Sequence, residues 1–279
     1  MDTSDLAKRM KGYEYVTRTH LITRMPVIIR LDGKAFHTFT RGFKRPFDDV
    51  LIKTMQETTK YLCENIQGCV LGYTQSDEIT LVLVDYKTFS TNAWFDYNIQ
   101  KCTSVAASMT TMAFNKFFAN NIELYINDLV RQENYDEKLE REYVLTLNNA
   151  LNKGAMFDAR IFNIQKEEVT NNIYWRQLDA SRNSIQMLGQ AYFSHNELHC
   201  KNTNQIQDML MLQKGINWND LPTYKKRGSC CIRKEGMRLV DKDNVTVGIA
   251  RDCWIIDEDI PIFKGEGRKY IDSLVYVGD

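Results

Sequence analysis

Two kinds of apolar patterning run through this chain. Residues 26–31 (Pro-Val-Ile-Ile-Arg-Leu) form a nearly unbroken apolar run that ends at Asp32-Gly33. A short run of this kind, rich in β-branched residues, predicts a buried strand. Residues 69–73 and 79–84 predict two more strands, with Ser76-Asp77-Glu78 in the turn between them. Residues 156–164 alternate and predict a fourth. Helical spacing appears elsewhere. Residues 5–19 follow Ser4 or Asp5 as cap, and 46–65 carry Phe47, Val50, Leu51, Met55 and Leu62, with Pro46 suited to the first helical position. Residues 91–120, 166–194 and 195–214 predict further helices, the last a single helix or a pair. Residues 133–142 read as a charged surface excursion, and 228–256 as a small hairpin.

The first six elements run strand, helix, strand, strand, helix, strand. This is the α+β, ferredoxin-like βαββαβ arrangement, the palm of polymerases and nucleotide cyclases. In that topology the third strand lies antiparallel beside the first. The end of the first strand then meets the start of the third, bringing Asp32 to Asp77. The working division is a palm-like core over residues 1–165, with a helical and hairpin extension over 166–279 packed on it.

Length and composition set the frame for this reading. The chain has 279 residues, 43% apolar and 26% charged, with zero formal net charge, ordinary for a globular protein. Bulk charge points to no polyanion, but its distribution is segregated. Between residues 8 and 45 there are ten basic side chains (Lys8, Arg9, Lys11, Arg18, Arg24, Arg30, Lys34, Arg41, Lys44, Arg45) against Glu14 and Asp32. Lys225, Lys226, Arg227, Arg233, Lys234 and Arg238 form a second group. Such segregation suits one face turned toward phosphates, although each run alone also reads as a solvated surface. The seven cysteines include no Cys-x-x-Cys pair and several sit in apolar runs, as expected of thiols used as small hydrophobes in a reducing compartment. The polar start and the lack of a long apolar run predict an intracellular protein with no membrane contact, cytoplasmic or mitochondrial.

Two carboxylates on neighbouring strand ends can hold Mg²⁺ while leaving room for phosphate oxygens. Asp32 and Asp77 are the candidate ligands, with the Gly33 carbonyl, and Glu78 supports them or faces solvent. The same residues also suit plain turns. Gly33, Lys34, Ala35, Phe36 and His37 can offer successive amides to a triphosphate, with Ser76, Lys44, Arg45 and Asp48 beside them. Arg182, Asn183, Ser184, Lys201 and Asn202 lie on predicted helices. They are placed to reach a nucleotide or a nucleic-acid end, as are Lys225, Lys226 and Arg227.

Three stretches together resemble the tRNA-His guanylyltransferase superfamily: Ile29-Arg30-Leu31-Asp32-Gly33-Lys34-Ala35-Phe36-His37, Lys44-Arg45-Pro46-Phe47-Asp48 and Tyr73-Thr74-Gln75-Ser76-Asp77-Glu78. Trp175-Arg176-Gln177-x-Asp179, Lys201-Asn202, residues 215–222 and Lys226-Arg227-Gly228 extend the match. The resemblance implies a palm with two Mg²⁺ ions held by Asp32, Gly33 and Asp77, a homotetramer, and nucleotide addition to the 5′ end of tRNA. ATP activates the 5′-phosphate, and the 3′-hydroxyl of GTP or another nucleoside triphosphate then displaces AMP. Arg45 replaces a lysine of the family's Lys-Pro-x-Asp element. Where the branch adding the extra guanosine to tRNA-His has His-Ile-Asn-Asn-Leu-Tyr, this chain has Ser181-Arg182-Asn183-Ser184-Ile185-Gln186. That departure points to the like-protein branch, which repairs 5′-truncated tRNAs by templated addition. A nucleotide cyclase sharing the palm and a non-catalytic RNA-binding module are the alternatives.

Overall fold

The computed structural model describes residues 2–131, 136–242 and 245–278. Six strands form one antiparallel sheet in the order β4-β1-β3-β2-β5-β6. They are β1 (Val27–Gly33), β2 (Cys69–Gln75), β3 (Glu78–Leu83), β4 (Phe157–Asn163), β5 (Ser229–Lys242) and β6 (Val245–Asp257). The first four give the order 4-1-3-2 expected of βαββαβ. β1 is central and pairs antiparallel with both β3 and β4.

Alternation along β1 separates two layers. Val27, Ile29 and Leu31 face a core shared with Ile79 and Leu81 of β3, helices α3 (Asp49–Asn65) and α4 (Ile99–Val130), and an aromatic cluster of Phe36, Phe39, Phe43, Phe114, Phe118 and Phe157. Ile28 faces the other side, where it packs with Val82 and with Val169 and Ile173 of α6 (Lys166–Tyr192). Arg30 and Asp32 follow Ile28 at the two-residue period of a strand, on the same side as α6.

Several boundaries differ from the sequence expectation. α1 is Asp5–Tyr15, capped by Ser4, whose hydroxyl accepts from the Ala7 amide. Pro46 lies ahead of α3; Asp48 is the cap, with its carboxylate accepting from the Leu51 amide. A 3₁₀ turn, Trp94–Tyr97, precedes α4, which Asn98 caps. The expected surface excursion is largely the start of a helix, α5 (Glu137–Lys153), which Asp136 caps and which buries Tyr143, Leu147 and Ala150. Its acids Glu137 and Glu140 sit in the first turn, where they complement the helix dipole; residues 133–135 lie outside the described residues.

The C-terminal part is built onto the sheet. Residues 195–214 form a pair of helices, α7 (His195–Leu198) and α8 (Thr203–Lys214), each opened by a capping box. α9 (Thr223–Arg227) leads into β5. The hairpin spans the expected stretch and joins the palm directly, with Cys230 and Cys231 of β5 opposite Tyr73 and Gly72 of β2. A short helix α2 (Phe36–Phe39) follows β1, and α10 (Lys269–Val275) ends the described chain.

Candidate active site at the ends of β1 and β3

Asp32 lies opposite Glu78 of β3 and Asp158 of β4. The Gly33 amide donates to the Asp77 carbonyl at 3.2 Å. The topology thus joins Asp32 and Asp77 as expected. Ser76 turns the chain with φ +51°, and its hydroxyl donates to Asp77 Oδ1 at 3.0 Å. Burial pushes the Asp77 carboxyl above its ordinary range, its own amide and Ser76 oppose this, and Asp32 adds to it. Two close carboxylates, one of them raised chiefly by burial, are matched to a cation. Among the described residues no third His, Cys, Asp or Glu completes a cluster, so the protein supplies an open ligand set. Mg²⁺ fits such a set because it retains waters and phosphate oxygens.

Glu78 is not in the turn. It opens β3, is 5% exposed, and is held from α6. Arg176 Nε and Nη2 donate to its two carboxylate oxygens at 2.6 and 2.7 Å, and Nη2 also donates to Asp179 at 2.9 Å. Burial raises the Glu78 carboxyl, and Arg176 only partly offsets this. Glu78 therefore neither faces solvent nor offers a free oxygen. It anchors the start of β3, directly after Asp77.

Gly33 is a glycine for a visible reason: a Cβ there would lie 2.2 Å from the Phe36 ring. Its amide is engaged by Asp77 and that of Lys34 by the Met156 carbonyl, at 2.9 Å. Ala35, at φ +53°, precedes α2. The amides of Ala35, Phe36 and His37 open the first turn of α2, where a helix has no acceptors of its own. These three amides, rather than all five, remain suited to phosphate oxygens. The Phe36 ring is core, and the His37 side chain lies beside the Thr38 hydroxyl.

Other candidates have structural partners. Lys44 Nζ donates to Tyr125 at 2.6 Å and to Glu140 of α5 at 2.9 Å. Burial pulls the Lys44 ammonium down, but these bonds hold it above the usual lysine range. Asp48 is buried and fully engaged: Leu51 donates to Oδ1, and the Lys44 amide and Tyr143 hydroxyl donate to Oδ2. Ser184 is buried, donating to the Lys225 carbonyl and accepting from Trp218. Lys226 is 8% exposed and donates to the Asn219 carbonyl at 2.5 Å, so its ammonium and the Ser184 hydroxyl already have partners within the protein, although both residues border the slot between Phe47 and Tyr224. Lys225 pairs with Asp49 at 2.7 Å, and Arg227 lends its carbonyl to the Tyr73 hydroxyl. Asn202 caps α8. Arg182 is exposed and pairs with Asp179.

The structure gathers two sets of the remaining candidates. A slot of about 90 Å³ lies between Phe47, Leu51, Met187 and Tyr224 and reaches Ser76 and Asn183. A larger, polar cleft of about 570 Å³ brings Arg45 to Lys201, distant in sequence, beside His195 and His199. Sequence reasoning assigned no role to Arg176, Asp158 or Arg160. Arg176 carried a signal, because it falls on the stripe Val169-Ile173-Ala180 that α6 buries, and an arginine there requires a buried carboxylate.

The family model described as Thg1, tRNAHis guanylyltransferase, matches residues 7–165. A bacterial tRNA(His) guanylyltransferase (Thg1)-like protein solved with ATP is 38% identical. The match covers 98% of this chain and 100% of that one, with a TM-score of 0.77. A bacterial Thg1-like protein solved with GTP gives 36% identity, a TM-score of 0.72 and the same coverage. An uncharacterised protein of Acanthamoeba polyphaga mimivirus is 29% identical over 86% of this chain and 80% of its own length. The chain belongs to the tRNA-His guanylyltransferase (Thg1) family.

Proposed function

We propose that this chain is a template-dependent 3′-to-5′ nucleotidyltransferase that adds nucleotides to the 5′ end of tRNA, repairing truncated ends. The observation that carries it is the meeting of Asp32 and Asp77 at adjoining strand ends, beside the first turn of α2 and the Ser76 slot. The family match, and the ATP and GTP held by the Thg1-like structures, support nucleoside triphosphates as substrates.

The chemistry divides into two displacements. An oxygen of the RNA 5′-phosphate attacks the α-phosphorus of ATP and expels pyrophosphate. The 3′-hydroxyl of the incoming nucleotide then attacks the activated 5′-phosphorus, and AMP leaves. Asp32, Asp77 and the Gly33 carbonyl would hold two Mg²⁺ ions, which when bound neutralise triphosphate charge and lower the pKa of the attacking hydroxyl. The amides of residues 35–37 orient phosphate oxygens, and the Ser76 hydroxyl holds the Asp77 carboxylate beside them. Phe47, Leu51 and Tyr224 enclose a base, and Arg45 and Lys201 bind a further phosphate group. Templated repair, rather than addition of the extra guanosine to tRNA-His, is favoured by the Ser181–Gln186 departure and by the identity to the bacterial Thg1-like proteins.

The test is extension of a tRNA transcript lacking its first nucleotide, with templates calling in turn for G, A, C and U. Incorporation that follows each template base is the expected result. Guanosine added regardless of template would assign the other branch, and no extension by folded protein would overturn the reading.

The homotetramer is proposed as well. α1 buries none of its residues and exposes Leu6, Met10 and Tyr13 along one side, a surface suited to another subunit.

A further inference from the structure

Trp175 is 53% exposed, whereas Trp94, Trp218 and Trp254 are all buried. Leaving a large indole half in water forfeits part of its burial energy, and an aromatic face so placed is available to stack on a ligand.

Its orientation follows from α6. Successive residues turn by about 100° around a helix. Arg176 points down to Glu78 on β3. Gln177 turns to one side, donating to the Pro261 carbonyl and accepting from the Phe263 amide. Phe263 packs on Tyr73 of β2, so that side is the β2 side. By the same helical turn Trp175 lies on the opposite side of Arg176, toward the β1 and β4 side of the sheet. The side chains of Arg30, Asp32, Asp158 and Arg160 project from that part of the sheet, on the layer facing α6.

The indole is also tied to the acids. The Arg176 guanidinium carbon lies 4.4 Å from the Trp175 ring centroid, and the same guanidinium grips Glu78, the residue after Asp77. One face of the ring is thus backed by a cation. On β1 the buried Nε of Arg30 has no hydrogen-bond partner among the described residues and lies 4.0 Å from Glu78. Arg160 of β4, 3.8 Å from Asp158, and Arg182 of α6, paired with Asp179, are both exposed. A flat aromatic surface backed by one guanidinium, with exposed arginines on the neighbouring elements, is complementary to a nucleobase with its phosphates.

We propose that Trp175 is the stacking platform for the base at the reacting end of the RNA substrate, holding the terminal 5′-phosphate over Asp32 and Asp77. This rests on the function proposed above and adds the residue that positions the RNA. Stacking is indifferent to base identity, which suits an enzyme whose terminal base changes after every addition.

The test uses a 5′-monophosphorylated, 5′-truncated tRNA transcript. Because the other tryptophans are buried, acrylamide quenching of intrinsic fluorescence reports mainly Trp175. Saturating RNA is expected to remove most of the acrylamide-accessible emission. Trp175→Ala should raise KM for RNA by roughly 10- to 100-fold, Trp175→Phe by less than about 3-fold, since a phenyl ring still stacks. KM for ATP should stay unchanged in both. Acrylamide access unaltered at saturating RNA overturns the platform, and this reading needs no variant. So does a Trp175→Phe protein as impaired as Trp175→Ala, or an equal rise in KM for ATP, either of which marks a merely structural role. Templated extension with unaltered access would overturn the platform alone. No RNA binding by anisotropy of a labelled transcript would overturn the functional reading and the platform together.

Discussion

Arg176 of α6 holds both carboxylate oxygens of Glu78, the residue that follows Asp77 and lies across the strand from Asp32. Removing one partner of a buried pair leaves an unpaired charge at a cost of about 3–5 kcal/mol. Arg176→Ala should therefore lose stability of that order in chemical denaturation. Glu78→Gln combined with Arg176→Met should recover part of it, because the Glu78 carboxylate is then no longer stranded, while Arg30 and Asp179 each lose a partner. If the single and double variants unfold at the same denaturant concentration, the pair is not the anchor.

Asp77 illustrates a conflict between function and stability. Its carboxyl is raised chiefly by burial, with Asp32 adding to the shift. A carboxyl raised in the folded state favours folding at pH below its ordinary value and withdraws that support as pH rises through the folded value. At neutral pH it therefore costs stability. Asp77→Asn should raise the denaturation midpoint at pH 7 while reducing extension by more than about 100-fold. The stability advantage of the variant should shrink on acidification toward the ordinary aspartate range. A variant less stable than the parent at neutral pH would contradict this account.

Two basic side chains of the candidate RNA surface should behave differently toward salt. Lys226 is buried on the Asn219 carbonyl, and burial, then Arg227, lowers its pKa. Lys226→Met should leave the salt dependence of RNA binding unchanged and cost about 1 kcal/mol of stability through the unpaired carbonyl. Arg182 is exposed, so Arg182→Ala should weaken RNA binding and flatten the log–log salt slope by about one. Fluorescence anisotropy across a salt series separates the two.

Lys44 is tied to Glu140 and Tyr125, and its side chain is partly exposed. Lys44→Met should cost roughly 0.5–1 kcal/mol, an amount limited by solvent screening, and leave KM for ATP within about 2-fold. Its raised pKa means that the wild-type advantage is complete below the ordinary lysine value and disappears as strongly alkaline pH passes the folded value. A large rise in KM for ATP would instead restore Lys44 to the phosphate site.

The palm was legible because its signals are local. Apolar runs, the turn at Ser76 and the spacing of α3 and α6 each declare an element, and βαββαβ topology then pairs β1 with β3. What sequence could not show was which polar groups already have partners. The basic stretch from Lys8 to Arg45 reads as one positive surface, yet Arg24 is held by Asp85 and Thr88, Arg30 lies against Glu78, and Lys44 is held by Glu140. Each partner lies more than forty residues away. α5 was missed because its charged first turn resembles a solvated loop, and only packing of Tyr143 and Leu147 reveals its buried stripe. Asp48 was read as a ligand because a cap and a ligand use the same carboxylate.

The division of β1 into odd residues packed on α3 and α4 and even residues turned toward α6 makes the site a matter of parity. Inserting one residue between Pro26 and Asp32 would not move the acid far, but would exchange the two faces, burying Asp32 among phenylalanines and presenting Leu31 to the phosphates. The hairpin connections and surface loops can change length without that penalty. Length can therefore change in the loops, while the count of residues along this one strand is fixed by which face its last acid must occupy.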